Sequence, residues 1–252
     1  MTLHMIGIGL SDENDITLKG LEKIKNSKEI YLEYYTSMLN VDIEKLEKLY
    51  NKKIIKANRE LVENNADLIL EKAKDEDIAF LVVGDVFGAT THSDIFIRAK
   101  EKGVECTITH NASIINAISE TGLELYKFGK TTSVPYPEKS FKPTAAYEVI
   151  KQNNKMGLHT LVLLDIKKDQ DRYMTINECI DILLDIENEK KSKIFTKTTF
   201  CVGCARIGSD NSMIKSGNAD EVKKIDFGKP LHCMIVPGNM HFMEEEMLKK
   251  FN

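Results

Sequence analysis

Ile78-Ala79-Phe80-Leu81-Val82-Val83 is an unbroken apolar run that stops abruptly at Gly84-Asp85. A strand with one face in water alternates apolar and polar positions; one with no polar position needs cover on both faces, as in a parallel sheet between helix layers. Parallel neighbours cannot be joined by tight hairpins, so helices must carry the chain back over the sheet in right-handed crossovers. Ligand loops are then expected where strands end at their carboxyl edge.

The flanking sequence supplies those crossovers. Leu3 to Leu10 reads as a strand ending in Gly7-Ile8-Gly9-Leu10, followed by a polar stretch and an amphipathic helix, Ile16 to Ile24. Ile30-Tyr31-Leu32 and Ile54-Ile55 read as strands, with helices at Ile43 to Tyr50 and at Leu61 to Ala73, the latter behind a possible Asn58 cap. Ser93 to Lys102 forms a helix closed by Gly103, and Val104 to Thr109 alternates as a half-buried strand. The loop ends are therefore Gly7 to Leu10, Gly84 to Thr90 and His110 to Ile114.

Between Glu120 and Pro143 the glycines and prolines interrupt helical periodicity, and a domain boundary falls near the start of that stretch, giving domains 1–112 and 113–252. Beyond it come a helix at Ala145 to Gln152 and an apolar strand from Thr160 to Ile166. A Thr175/Glu178 capping box opens a helix carrying Ile176, Ile180, Leu183 and Leu184 on one face. Strands at Thr199 to Ile207 and Leu231 to Val236 and a short helix from about Met240 finish a second α/β half, with more antiparallel pairing expected.

A chain of 252 residues with 42% hydrophobic content suits two compact domains. Its 35 Lys+Arg against 39 Asp+Glu show no electrostatic footprint for nucleic acid. No apolar run nears the roughly 20 residues of a membrane span, and Met-Thr-Leu-His lacks the regions of a signal peptide, so a cytoplasmic protein is expected. The odd number of cysteines, 5, fits reduced thiols. Cys201 and Cys204 form C-x-x-C within a β-like run, where odd spacing sends the thiols to opposite faces, and no second ligand pair completes a zinc site.

Each motif has a plain reading beside a functional one. Gly7-Ile8-Gly9-Leu10 lets a ligand approach the backbone, but lacks the third glycine of a dinucleotide fingerprint and is a common sort of turn. Gly84 to His92 puts Asp85, Gly88 and several hydroxyls after a central strand. Such a carboxylate can accept from ribose hydroxyls or an ammonium, or can simply shape a turn ahead of a helix. Ser113 and the amides after His110 can meet a ligand carboxylate or merely cap a helix. An isolated histidine such as His232, opening an apolar strand, is ordinarily a satisfied edge residue. No nucleophile triad, metal-ligand spacing or phosphate-binding loop appears, so hydrolase and NTPase chemistry are unsupported.

Taken in order, these segments resemble the diphthine synthase family over essentially the whole chain. The match continues through Asp15 to Leu21, Glu33-Tyr34-Tyr35-Thr36-Ser37, Tyr126 to Gly129, Gly157 to Leu161, Asp165 to Lys167, Arg172 to Thr175, Ala205 to Gly208 and Pro230-Leu231-His232. The resemblance implies a two-domain α/β fold of the tetrapyrrole methylase kind. Its N-terminal sheet would be largely parallel and its C-terminal sheet mixed, with S-adenosylmethionine in the interdomain cleft, no metal, and pairing as a homodimer. It carries cofactor contacts onto Leu10, Asp85, Gly88, Ser113 and Ile114, and onto Leu164, Ile207 and His232. The family commonly has Pro after the Gly-Asp pair, where this chain has Val86.

The substrate so implied is the aminocarboxypropyl group on a histidine of translation elongation factor 2, methylated repeatedly on its amine, with S-adenosylhomocysteine released. Phe87 to His92, His110 to Ile114 and Met243 to Met247 are similar to the eukaryotic type, which adds a methyl ester as a fourth transfer. The short link from Ile166 to Tyr173 is similar to the archaeal type, which stops at trimethylation. An in-line displacement of this kind depends on positioning and a neutral amine, so no indispensable acid or base is expected. The competing readings are a tetrapyrrole methyltransferase and an NAD-binding oxidoreductase.

Overall fold

A computed structural model describes residues 1–138 and 142–252. The chain forms two compact units, Met1–Ala117 and Ile118–Asn252.

The first unit runs β1 (Thr2–Gly7), α1 (Leu18–Asn26), β2 (Glu29–Glu33), α2 (Ile43–Tyr50), β3 (Ile54–Ala57), α3 (Asp67–Asp75), β4 (Ile78–Val82), α4 (Ser93–Glu101), β5 (Glu105–Thr109) and α5 (Ile114–Ala117). The strands pair in the order β3-β2-β4-β1-β5, every pair parallel. The apolar run of β4 is buried on both faces, as its composition requires. Ile78, Phe80 and Val82 pack with Ile69, Leu70 and Ala73 of α3 and Ile95 and Ala99 of α4. Ala79, Leu81 and Val83 pack with Ile24 of α1 and Leu46 and Tyr50 of α2. Fully burying such side chains stabilises by about 1.5–3 kcal/mol each, which is why the centre of the sheet sits here.

One expected helix is divided. Asn58 Oδ1 does accept from the Leu61 amide (2.9 Å), but Glu60–Asn64 is a π-helical turn and α3 starts only at Asp67. The side chain of Asn65 donates to the Glu60 carbonyl and carboxylate, and Asn64 to that same carboxylate. Asparagine amides competing with the backbone end the first segment, against the apolar periodicity that spans both.

The second unit runs β6 (Thr132–Val134), α6 (Thr144–Lys155), β7 (Thr160–Leu164), β8 (Ile166–Lys167), β9 (Arg172–Tyr173), α7 (Ile176–Lys190), β10 (Phe200–Ala205), β11 (Met213–Asn218), α8 (Ala219–Val222), β12 (His232–Val236) and α9 (Phe242–Leu248). Its main sheet has the order β11-β10-β12-β7-β6, and β12 runs antiparallel to both β10 and β7. The Thr175/Glu178 capping box forms at the head of α7. Tyr147 and Ile150 of α6 and Ile176, Ile180 and Leu183 of α7 pack with Val162 and Met234 in one core.

All five cysteines are free thiols. Cys201 lies in the core beneath α7, whereas Cys204 stands opposite Cys233 on the neighbouring strand. Burial pushes the Cys201 thiol up to about 12, so it is held protonated and unreactive. A thiol reagent added to the native protein is expected to reach Cys106 alone, slowly, with the other four reacting only on unfolding; rapid labelling of Cys201 or Cys204 would contradict this packing. Among the described residues no helix is long and apolar enough to cross a membrane.

Candidate functional site

Parallel pairing of β4, β1 and β5 delivers three successive loops to the carboxyl edge of the first sheet, and their hydrogen bonds interlock. Gly9 and Gly84 exchange backbone bonds, Gly84 N–H to Gly9 O at 2.7 Å and Gly9 N–H to Gly84 O at 3.3 Å. Both have positive φ, +81° and +80°, where a side chain is strained. A Cβ on Gly9 would also come within 2.3 Å of the Asp15 Cβ. That contact matters because Asp15 Oδ2 accepts from the amides of Leu10 (2.9 Å) and Ser11 (2.7 Å) and so shapes the Leu10 turn. Gly9→Ala is expected to combine about 1–2 kcal/mol of backbone strain with displacement of Asp15. The check is a lowered melting temperature.

Asp85 is the hub of the second loop. Its Oδ2 accepts from the Asn111 amide (3.0 Å) and faces His110 Nδ1 (2.8 Å); its Oδ1 accepts from the Phe87 amide (3.1 Å). Partial burial would raise this carboxyl, but the Asn111 and Phe87 amides and the His110 ring outweigh it and hold it below its ordinary value. Asp85 is thus an anion at neutral pH. Val86 is completely buried in the core against β4, so an apolar side chain anchors this loop. The Thr90 hydroxyl donates to the Val86 carbonyl (2.8 Å), and the buried His92 ring meets Phe80 edge-on at 5.6 Å.

Gly88 lies against the third loop: a Cβ there would fall 2.6 Å from Ser113 Oγ. The Ser113 amide donates to Asn116 Oδ1 (2.7 Å), while Asn111 Nδ2 donates to the carbonyls of Gly7 (3.1 Å) and Asp15 (2.9 Å). The structure therefore gathers Leu10, Asp85, Gly88, Ser113 and Ile114 on one sheet edge. The supporting roles of Asp15 and Asn111 were not foreseen. The Asp15 bonds are local, to amides in its own loop, and a short acidic residue after a glycine turn was their hint; the Asn111 side chain instead reaches carbonyls 104 and 96 residues earlier, which only strand pairing brings near.

In the second unit the strand directions do similar work. β7 and β10 both run antiparallel to β12, so the ends of β7 and β10 meet the start of β12 at one edge. Leu164, Ile207 and His232 occupy that edge. Leu164 and Ile207 are buried. Arg206 bonds the carbonyls of Phe227 (2.8 Å) and Lys229, tying the β10 end to the approach to β12. His232 Nε2 donates to the Lys229 carbonyl (3.1 Å), leaving Nδ1 as an acceptor without a partner among the described residues. Burial lowers the His232 pKa, favouring the neutral ring.

A family model described as Tetrapyrrole (Corrin/Porphyrin) Methylases matches residues 2–223. The chain belongs to this family. The diphthine methyl ester synthase of Dictyostelium discoideum is 47% identical over 268 residues, covering 100% of this chain and 98% of the relative. The diphthine synthase of Methanocaldococcus jannaschii is 48% identical over 250 residues, covering 98% and 97%. A crystal structure of diphthine synthase superposes with a TM-score of 0.90 at 38% identity, covering 100% of this chain and 96% of that one. Among these relatives the chain is a methyltransferase, and the all-parallel first sheet and mixed second sheet are the architecture expected of it.

Proposed function

We propose that this chain uses S-adenosylmethionine to methylate, repeatedly, the aminocarboxypropyl-histidine of translation elongation factor 2 in diphthamide biosynthesis, ending at diphthine methyl ester after four transfers. The observation that carries the reading is the convergence of Leu10, Asp85, Gly88, Ser113 and Ile114 on one sheet edge in a chain of this family. The enzyme would act in the cytoplasm as a homodimer with a protein substrate, without a metal, nucleic acid or membrane partner.

The residues present fit such a cofactor. Asp85, an anion fixed by three bonds, can accept from an ammonium or ribose hydroxyls. Ser113 offers a hydroxyl beside Gly88, and the half-buried Leu10 and Ile114 can cover apolar surface. In the second unit Leu164 and Ile207 supply apolar walls and His232 Nδ1 an acceptor. When bound, the cofactor supplies a methyl group on a sulfonium centre. The chain's own contribution is alignment, since holding reactants about 3 Å apart in an attack pose removes several kcal/mol from the barrier.

The test is mass spectrometry of aminocarboxypropyl-modified elongation factor 2 after incubation with the chain and S-adenosylmethionine. A gain of four methyl groups is expected. A gain of three would assign the trimethylated product instead, and no gain would end the proposal.

A further inference from the structure

Among the described residues His110 is the one exposed titratable ring on the loops that gather around Asp85. Its side chain is 70% exposed, yet its Nδ1 is fixed at 2.8 Å from Asp85 Oδ2. Asp85 in turn is immobilised by the amides of Asn111 and Phe87. Among the described residues Asp85 is the charged group that bonds this ring. An ionised carboxylate only accepts, so it selects the tautomer with the proton on Nδ1 and leaves the Nε2 lone pair directed away from the pair. A carboxylate-oriented imidazole with a free, accessible Nε2 is the arrangement of a proton acceptor.

Resting on the methyl-transfer reading above, we propose that His110 is a catalytic residue that takes the proton from the substrate amine before each N-methylation. An alkylammonium has no lone pair. Its N–H bond must break, with the electron pair staying on nitrogen and the proton passing to His110 Nε2. That pair then forms the new N–C bond as the C–S bond breaks and its electrons return to sulfur as a neutral thioether. The imidazolium, open to solvent, gives its proton to water before the next round. Mono- and dimethylated amines again carry a proton after each transfer, so the residue is used in all three amine steps. A transfer to a carboxylate needs no deprotonation and bypasses it.

The test uses His110→Asn, whose amide keeps a donor toward Asp85 but has no basic nitrogen, with His110→Ala beside it. Mass spectrometry of the modified translation factor is expected to show both variants slower in the amine steps at pH 7 by about 100-fold, the low end for general-base catalysis because water can substitute. Their rates should rise by about tenfold per pH unit where the wild type is level, and conversion of already trimethylated substrate to ester should be unchanged. Independently of turnover, calorimetry should give His110→Asn wild-type affinity for S-adenosylhomocysteine, and nitrogen NMR of the wild-type ring should place the proton on Nδ1. Wild-type amine rates for His110→Asn at every pH, or a ring protonated on Nε2 alone, would overturn the assignment while leaving methyl transfer intact. A wild-type protein that transfers no methyl would overturn both.

Discussion

An Asp85→Ala variant is expected to bind S-adenosylhomocysteine roughly 30- to 150-fold more weakly, about 2–3 kcal/mol, the range for a hydrogen bond to a charged group. The side chain joins two of the loops at the first sheet's edge through a fixed negative charge, taking bonds from Phe87 on its own loop and from His110 and Asn111 on the next. Truncation removes the acceptor and also frees the Asn111 amide, so the Ser113 loop should loosen with it. Asp85→Asn separates the two contributions, because it fills the same space without the charge. Calorimetry gives the comparison; affinity within threefold of wild type for both variants would place the nucleoside elsewhere.

The second large effect concerns stability and lies in the second unit. Glu244, in the first turn of α9, is buried to 1% exposure and accepts from the Glu124 amide (2.9 Å), the His241 amide (2.7 Å), Lys127 Nζ and His159 Nε2 (3.0 Å). His159 is itself buried and takes a bond from the Gly238 amide on Nδ1 (2.9 Å), so it is neutral, with its proton on Nε2 pointing at Glu244. Burial alone would raise this carboxyl, but the Glu124 amide, Lys127, the His241 amide and His159 together bring it down to about 2 from an ordinary value near 4.5. Because the folded value is the lower one, the stabilisation, about 3 kcal/mol, is complete above pH 4.5 and drains away as pH falls toward 2. Glu244→Gln leaves Lys127 without its buried counter-charge and should cost about 3 kcal/mol at neutral pH. Its melting temperature should then change much less than the wild type's between pH 5 and pH 2.5. Parallel acid titrations of the two proteins would disprove the assignment.

What the sequence reveals, and what it withholds, follows from the range of each interaction. The unbroken apolar stretch of β4, the helix-closing Gly103 and the Thr175/Glu178 box are local signals, and the parallel sheet with its carboxyl-edge loops follows from them. β11 was missed because Met213-Ile214-Lys215-Ser216-Gly217-Asn218 is polar and pairs on one side only, with β10; nothing in its own residues demands a strand. The helix expected from Leu61 to Ala73 was divided by asparagine side chains, whose preference for backbone partners apolar periodicity does not register. At the site, the loops could be read because each ends a strand. The pairing of His110 with Asp85 could not, since 25 residues separate them and only strand register brings them together.

Asn111 has a side effect on the energetics of ligand capture. Its carboxamide clasps carbonyls at both ends of the Leu10 turn, from Gly7 and from Asp15, while its own amide is held by the neighbouring loop's acid. Three segments far apart along the chain are thereby set in one stiff piece before any guest arrives. The ordering entropy of the seat is met during folding rather than at each encounter. Amide hydrogen exchange at Leu10, Ser11 and Asn111 should accordingly be slow in the empty protein and change little when nucleoside is added.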